Sequence, residues 1–216
     1  PSVRPLVMGA TFGIALTLVI IAGSELFTGH TMFLTLGVKA GTISHGQMWA
    51  ILPKTWLGNL VGSVFVALLY SWGGGSLLPV DTSIVHSVAL AKTTVPATVL
   101  FFKGALCNWL VCLAIWMAIR TEGAAKFLAI WWCLLAFIAS GYEHSVANMT
   151  LFALSWFGHH SEAYTLSGIG HNLLWVTLGN TLSGVVFMGL GYWYATPKSE
   201  RPVPAKINQP EATANN

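Results

Sequence analysis

Two short strings concentrate the chemistry of this 216-residue chain: Ser24-Glu25-Leu26-Phe27-Thr28-Gly29-His30 and Gly141-Tyr142-Glu143-His144-Ser145. Of seven carboxylates, only Glu25 and Glu143 fall in apolar surroundings. An ionised group there costs several kcal/mol unless it is paired or neutral. Each glutamate therefore reads either as a functional group or as a clasp accepting hydrogen bonds from backbone N–H groups freed by an interrupted helix. His144 adds an imidazole, which exchanges a proton near neutral pH, and Thr28 in the other string offers a hydroxyl. His30 also falls in the first string. Lys92 and Lys103 flank the start of an apolar run, where a lysine attracts anions to a vestibule or snorkels to the headgroups. Asn108 lies inside that run and needs a hydrogen-bond partner, so it orients an interruption or a passing solute. His159-His160 lacks further ligands for a metal ion. Cys107, Cys112 and Cys133 have no C-x-x-C spacing and read as small hydrophobes. No nucleophile with a positioned base, glycine-rich phosphate loop or H-E-x-x-H string is present. Neither catalysis, a metal nor a cofactor is expected.

The elements that position these groups must be membrane helices. Hydrophobic residues make up 55% of the chain and charged residues 8%, against roughly 25% charged in a soluble domain. That excludes a soluble enzyme. The ten Lys and Arg form no basic run, so nucleic acid is excluded as a partner and the lipid bilayer is expected instead. Uninterrupted apolar length gives five candidate spans near 5–24, 47–71, 96–119, 124–141 and 172–195. The first and fourth run into the two strings and continue as short apolar pieces, so both read as helices broken inside the membrane. The breaks repeat: Glu25 to Glu143 is 118 positions, Met32 to Met149 is 117, and Asn59 to Asn180 is 121. A tandem duplication follows, in which the span at 96–119 has no counterpart in the first copy. Gly9-x-x-x-Gly13 and Gly58-x-x-x-Gly62 are read as helix-packing faces, and Trp49, Trp72, Trp116, Trp156 and Trp193 as anchors at the headgroups.

Loop charges supply a second line of argument. The stretch after Pro197 carries Lys198, Arg201 and Lys206, the loop at 158–170 carries neither Lys nor Arg, and Arg120 and Lys126 flank the next. The loop at 72–92 has only Lys92, at its end. This alternation puts the tail in the cytoplasm. With five spans Pro1 then falls outside, and the expectation is that one preceding helix is missing. Six spans in two three-helix halves make the halves inverted relative to one another, an architecture whose broken helices line a pathway. Residues 1–196 form the expected channel domain and 197–216 a disordered cytoplasmic tail.

At these residues the chain resembles the formate/nitrite transporter family. The resemblance is carried by Glu25-Leu26-Phe27-Thr28, Gly58-Asn59-Leu60-Val61-Gly62, Cys107-Asn108-Trp109-Leu110-Val111-Cys112 and the string Ala139 to Met149. It runs from the first residues to Thr196 and departs from the family in the absent first helix. It implies an all-α, aquaporin-like inverted repeat of three-helix halves, assembled as a homopentamer in the bacterial inner membrane, each protomer with its own pore. Carried over by position, His144 would be the central pore histidine with Thr28 as its hydrogen-bonding partner. Leu26 and Phe27 would form the cytoplasmic-side constriction and Phe137 the periplasmic one. Lys92 would be the vestibule lysine, Asn108 the mid-membrane polar residue, and Glu25 and Glu143 supporting groups. The implied function is a channel for small monovalent anions of weak acids: nitrite on overall similarity, with formate or hydrosulfide as alternatives. His144 would hand the anion a proton between the two constrictions, or Lys92 would raise the anion's proton affinity without one from His144. From a different class, a non-transporting membrane sensor or assembly subunit is retained.

Overall fold

The structure, a computed structural model, describes residues 3–75, 84–158 and 160–201. His159 and the disorder expected of the tail past Arg201 lie outside the described residues. Among these residues all regular structure is helical: α1 (Arg4–Ala22), α2 (Phe27–Lys39), α3 (His45–Trp72), α4 (Ile84–Thr93), α5 (Ala97–Ala118), α6 (Gly123–Ala139), α7 (Ser145–Phe157) and α8 (Leu166–Leu182). After α8 come a π-helical segment (Ser183–Leu190) and a last turn, α9 (Gly191–Ala195). Among the described residues, four helical runs are long and apolar enough to cross a membrane: α1, α3, α5 and the run Leu166–Ala195. Two boundaries differ from expectation. The span expected at 172–195 starts at Leu166, because the Thr165 hydroxyl accepts from Gly168 N–H and caps the helix there. The loop expected at 72–92 contains α4, whose ten residues are too few to read as a span.

Both expected breaks are present, built the same way at an offset of 118 positions. Gly23 and Gly141 adopt left-handed backbone, with φ of 76° and 65°, a conformation open to glycine that ends α1 and α6. Leu26 and His144 are then extended and serve as N-caps of α2 and α7. An asparagine clasps each break. Asn59 on α3 accepts from Phe27 N–H and donates to the Glu25 carbonyl, both at 2.9 Å. Asn180 on α8 accepts from Ser145 N–H at 2.9 Å and donates to the Glu143 carbonyl at 3.0 Å. The clasps are thus the asparagines and not the glutamate carboxylates, which corrects one of the two sequence readings of Glu25 and Glu143.

Packing follows the duplication. α1 packs on α6, α3 on α7 and α5 on α8. Gly9 and Gly13 let α1 close on α6: a Cβ on Gly9 would stand 2.8 Å from the Leu135 carbonyl oxygen and one on Gly13 2.6 Å from the Trp131 ring. Trp131 Nε1 donates across the same contact to the Ala10 carbonyl at 2.7 Å. Gly179 touches the backbone of α5, where a Cβ would lie 3.0 Å from Ala105 N. Its repeat counterpart Gly58, and Gly62 beside it, were expected to pack but have nothing within 4 Å among the described residues. The π segment meets α2 at Thr31 and Thr35, four positions apart, through Gly184 and Gly189, five apart. A π-helix has the longer repeat, so both glycines reach one face.

The bundle has two ends. At one, Lys39 Nζ donates to Tyr194 OH at 3.1 Å, and the Arg120 guanidinium lies 3.4 Å above the Trp116 ring. At the other, α4 is tied to the end of α7 by His86 Nδ1 and Ser155 Oγ, 2.8 Å apart. There Tyr164 OH donates to the Phe152 carbonyl at 3.0 Å, and burial pushes its phenol well above the usual tyrosine range, keeping it a donor. Between the ends the perimeter is apolar, with Leu18, Phe102 and Leu128 all exposed, as a lipid-facing surface requires.

Candidate functional site

α2 runs from its break to the Tyr194 end and α7 from its break to the α4 end, so their N-termini converge inside the bundle. There Thr28 Oγ1 and His144 Nε2 are 3.0 Å apart, with Thr28 fully buried. The second ring nitrogen is also engaged, since Ala147 N–H donates to Nδ1 at 3.1 Å. Nδ1 therefore carries no proton, and the Nε2–H donates to the Thr28 hydroxyl. The ring stacks on Phe137, centroids 6.1 Å apart and planes inclined by 24°.

A cavity of about 420 Å³ opens on this ring. Its wall includes three residue pairs related by the 118-position repeat: Leu16 and Leu134, Val19 and Phe137, Leu26 and His144. It therefore lies where the two halves meet, and its walls are apolar apart from His144 and Thr150. A second cavity of about 200 Å³, towards α4, shares Phe137 and His144 with the first and adds Lys92, Tyr142 and Asn148. Phe137 thus stands at the boundary of the two cavities. Leu26 lines the larger one. Phe27, expected beside Leu26, packs against Met48 and Leu52 instead and lines neither.

Charge at the α4 side is tightly paired. Lys92 Nζ is 2.7 Å from Glu143 Oε2, and Asn148 Nδ2 donates to the same oxygen at 2.7 Å. Asn172 accepts from Asn148 at 2.8 Å and donates to the Lys92 carbonyl at 3.0 Å. Asn148 and Asn172 were not singled out in the sequence. Asn148 stands five positions after Glu143, and that spacing is the signal available for it. Glu25 pairs with His30, whose Nδ1 lies 3.1 Å from Thr55 Oγ1. Asn108 is fully buried and donates to the Thr28 carbonyl at 3.2 Å and the Asn180 carbonyl at 2.7 Å. It joins the two breaks and does not reach either cavity wall. Lys103 approaches the site through its backbone alone, its carbonyl accepting from Glu143 N–H at 3.3 Å.

An all-helical, multi-pass membrane protein with a cavity on the axis of an internal duplication belongs to the channel class of folds. The chain is a member of the formate/nitrite transporter family: a model of that family, "Formate/nitrite transporter", matches residues 1–194. It is 97% identical over 216 residues to "Nitrite transporter NirC" of Salmonella typhimurium, covering 100% of this chain and 80% of that one. It is 91% identical over 214 residues to the protein of the same description from Escherichia coli (strain K12), covering 99% and 80%. Among solved structures, an "FNT family ion channel" superposes with a TM-score of 0.89 at 97% identity, over 91% of this chain and 79% of that one. A "Pentameric formate channel with formate bound" superposes with a TM-score of 0.76 at 29% identity, over 89% and 83%.

Proposed function

We propose that this protein is a nitrite channel of the bacterial inner membrane, working as a homopentamer with one pore per protomer and the Tyr194 end in the cytoplasm. The observation that carries the reading is the cavity lined by repeat-related residues with His144 as its ionisable group. The 97% identity to a nitrite transporter favours nitrite over formate or hydrosulfide, and the pentameric relative favours the assembly. A transmembrane pathway along the duplication axis also accounts for both breaks, which a sensor or assembly subunit would not need. Anion-driven swelling of proteoliposomes tests it: nitrite salts should swell vesicles containing the complete protein faster than empty ones. Equal rates would contradict the reading.

The chemistry starts from solvation. A bare anion entering walls of Leu16, Val19, Leu134 and Phe137 loses hydration worth tens of kcal/mol in the limit of a dry medium, whereas a neutral weak acid loses only a few. The convergent N-termini of α2 and α7 carry the positive ends of their helix dipoles and lower the barrier for the anion's approach. His144 then gives the anion a proton and the neutral acid crosses. The imidazolium that must form beforehand needs Nδ1 released from Ala147 N–H, at a cost of about 1 kcal/mol for a lost cap. That cost, together with the desolvation of the imidazolium itself among apolar walls, must stay below the anion's solvation cost for the relay to operate. Phe137 and Leu26 act as the outer and inner constrictions, and Lys92 with Glu143 lines the outer vestibule.

A second reading is favoured by one observation, that both ring nitrogens of His144 are already hydrogen-bonded. In it the imidazole stays neutral and the outer vestibule, through Lys92, raises the anion's proton affinity. Alongside either reading, the open face of α3 around Gly58 receives a further helix as α8 receives α5 at Gly179, completing six spans.

A further inference from the structure

The turn that ends α6 presents one polar side chain to the α4-side cavity that the relay does not use. Gly141 N–H donates to the Ile138 carbonyl at 3.0 Å and Tyr142 N–H to the Phe137 carbonyl at 3.1 Å, the paired bonds with which a left-handed glycine closes a helix. That turn brings the residue after the glycine back against the one five positions earlier. Tyr142 and Phe137 accordingly line the cavity of about 200 Å³ together. The first break closes in the same way, Ser24 N–H donating to the Val19 carbonyl at 2.9 Å. Ser24 is the counterpart of Tyr142 at the 118-position offset, and it lines neither cavity. The two halves share the turn and differ in the group it presents.

The polar side chains of the α4-side cavity differ in what they have left to give. Both amide hydrogens of Asn148 are spent, on Glu143 and Asn172. Both ring nitrogens of His144 are engaged, by Thr28 and Ala147. Lys92 is paired with Glu143, a carboxylate that does not itself line the cavity, and keeps N–H groups to spare. The Tyr142 hydroxyl has no hydrogen-bond partner among the described residues and is not one of the hydroxyls sealed from solvent. We propose that Tyr142 is a specificity-determining residue of the channel: with Lys92, its hydroxyl binds the anion arriving from the α4 side and favours oxyanions such as nitrite over anions whose acceptor is sulfur. The inference rests on the channel reading. An ammonium is a point charge that draws in small anions of either kind. A phenol O–H bonds an anionic oxygen about twice as strongly as a neutral one, whereas sulfur accepts weakly. The cavity also has the room, since about 200 Å³ holds a three-atom anion and some of its waters at about 30 Å³ each. The anion is thus selected before it sheds its hydration at Phe137. The alternative is a ring that only packs on the core beside Phe137, its hydroxyl taking no part in transport.

Tyr142→Phe keeps the ring and removes the donor. The complete protein is reconstituted in vesicles sorted for one orientation, with anions added at the α4 side and at a pH where they are ionised. Two quantities are read: KM and maximal rate for nitrite flux, and the inhibition constant of hydrosulfide against that flux. Tyr142→Phe should raise the nitrite KM about tenfold, the lower end of what a hydrogen bond to a charged group contributes, with the maximal rate and the hydrosulfide constant each within about twofold of wild type. An unchanged nitrite KM overturns the inference and leaves the channel intact. So does a rise of both constants by the same factor, which is the mark of a disturbed cavity wall. Failure of Tyr142→Phe to assemble also overturns it, because the hydroxyl would then hold the fold. No nitrite flux from wild-type vesicles overturns the channel reading and the inference together.

Discussion

At the scale of single residues, the site is decided by what each polar atom has already found. Thr28, Asn108, Asn148, Asn172 and Asn180 are buried and bonded, as groups inside a low-dielectric bundle must be. Ser145 differs: its hydroxyl is buried with no hydrogen-bond partner among the described residues. An unpaired buried hydroxyl is a cost, so Ser145→Ala should raise stability by about 1 kcal/mol and leave transport unchanged. A thermal shift on the reconstituted variant checks this, and a lowered midpoint would mean the hydroxyl has a partner in the working pore. Asn180 could be marked from sequence because its spacing to Asn59 repeats. Its role as a clasp could not, since spacing along the chain does not say that its amide spans a break in another helix.

At the scale of elements, the two breaks are equivalent in backbone and unequal in surroundings. Asn180 is fully buried beneath α5 and makes an additional bond to the Gly104 carbonyl at 2.8 Å, whereas Asn59 is half-buried. Asn180→Leu strands Ser145 N–H and two carbonyls and should cost about 2–4 kcal/mol, while Asn59→Leu strands one N–H and one carbonyl at a half-buried site and should cost less, about 1–2 kcal/mol. Unfolding in graded denaturant compares the two. Equal costs would mean that the Asn59 break is shielded as well as the Asn180 one. The breaks themselves were legible, because glycine, a glutamate and a cap recur at one offset within apolar runs. α4 was not legible. Its sequence Ile84–Thr93 is apolar but short, and what makes it a helix at that place is its contact with α7 and α8.

At the scale of the whole molecule, the cations are the ground for the proposed orientation. Lys39, Arg120 and Arg201 gather on aromatic rings at the Tyr194 end, and the rule that Lys and Arg favour the cytoplasmic side supports the proposal that this end lies inside. Reporters fused after Phe157 should read periplasmic and those at Ser44 or Thr121 cytoplasmic; the reverse pattern would invert the assignment of the two vestibules. The all-helical membrane class and the repeated break were readable from hydropathy and repeat spacing, and the aquaporin-like architecture came from the family resemblance. The cavity was not, because its wall is assembled from α1, α5, α6 and α7, and no local pattern reports which faces of four separate helices meet.

The central claim is that His144 moves a proton with each anion, and His144→Asn addresses it directly. Asparagine is close in size and keeps a hydrogen bond to Thr28, so the exchangeable proton is the main loss. Thr28→Val, which removes only the group that holds the ring, should give a milder form of the same change. The measurement is nitrite flux and electrical current recorded together in liposomes across pH. The relay predicts that wild-type pores carry little net charge per nitrite, and that His144→Asn loses proton-coupled flux or passes the bare anion as current. An unchanged pH profile with unchanged charge per nitrite in His144→Asn would contradict the relay and leave proton supply to the Lys92 vestibule.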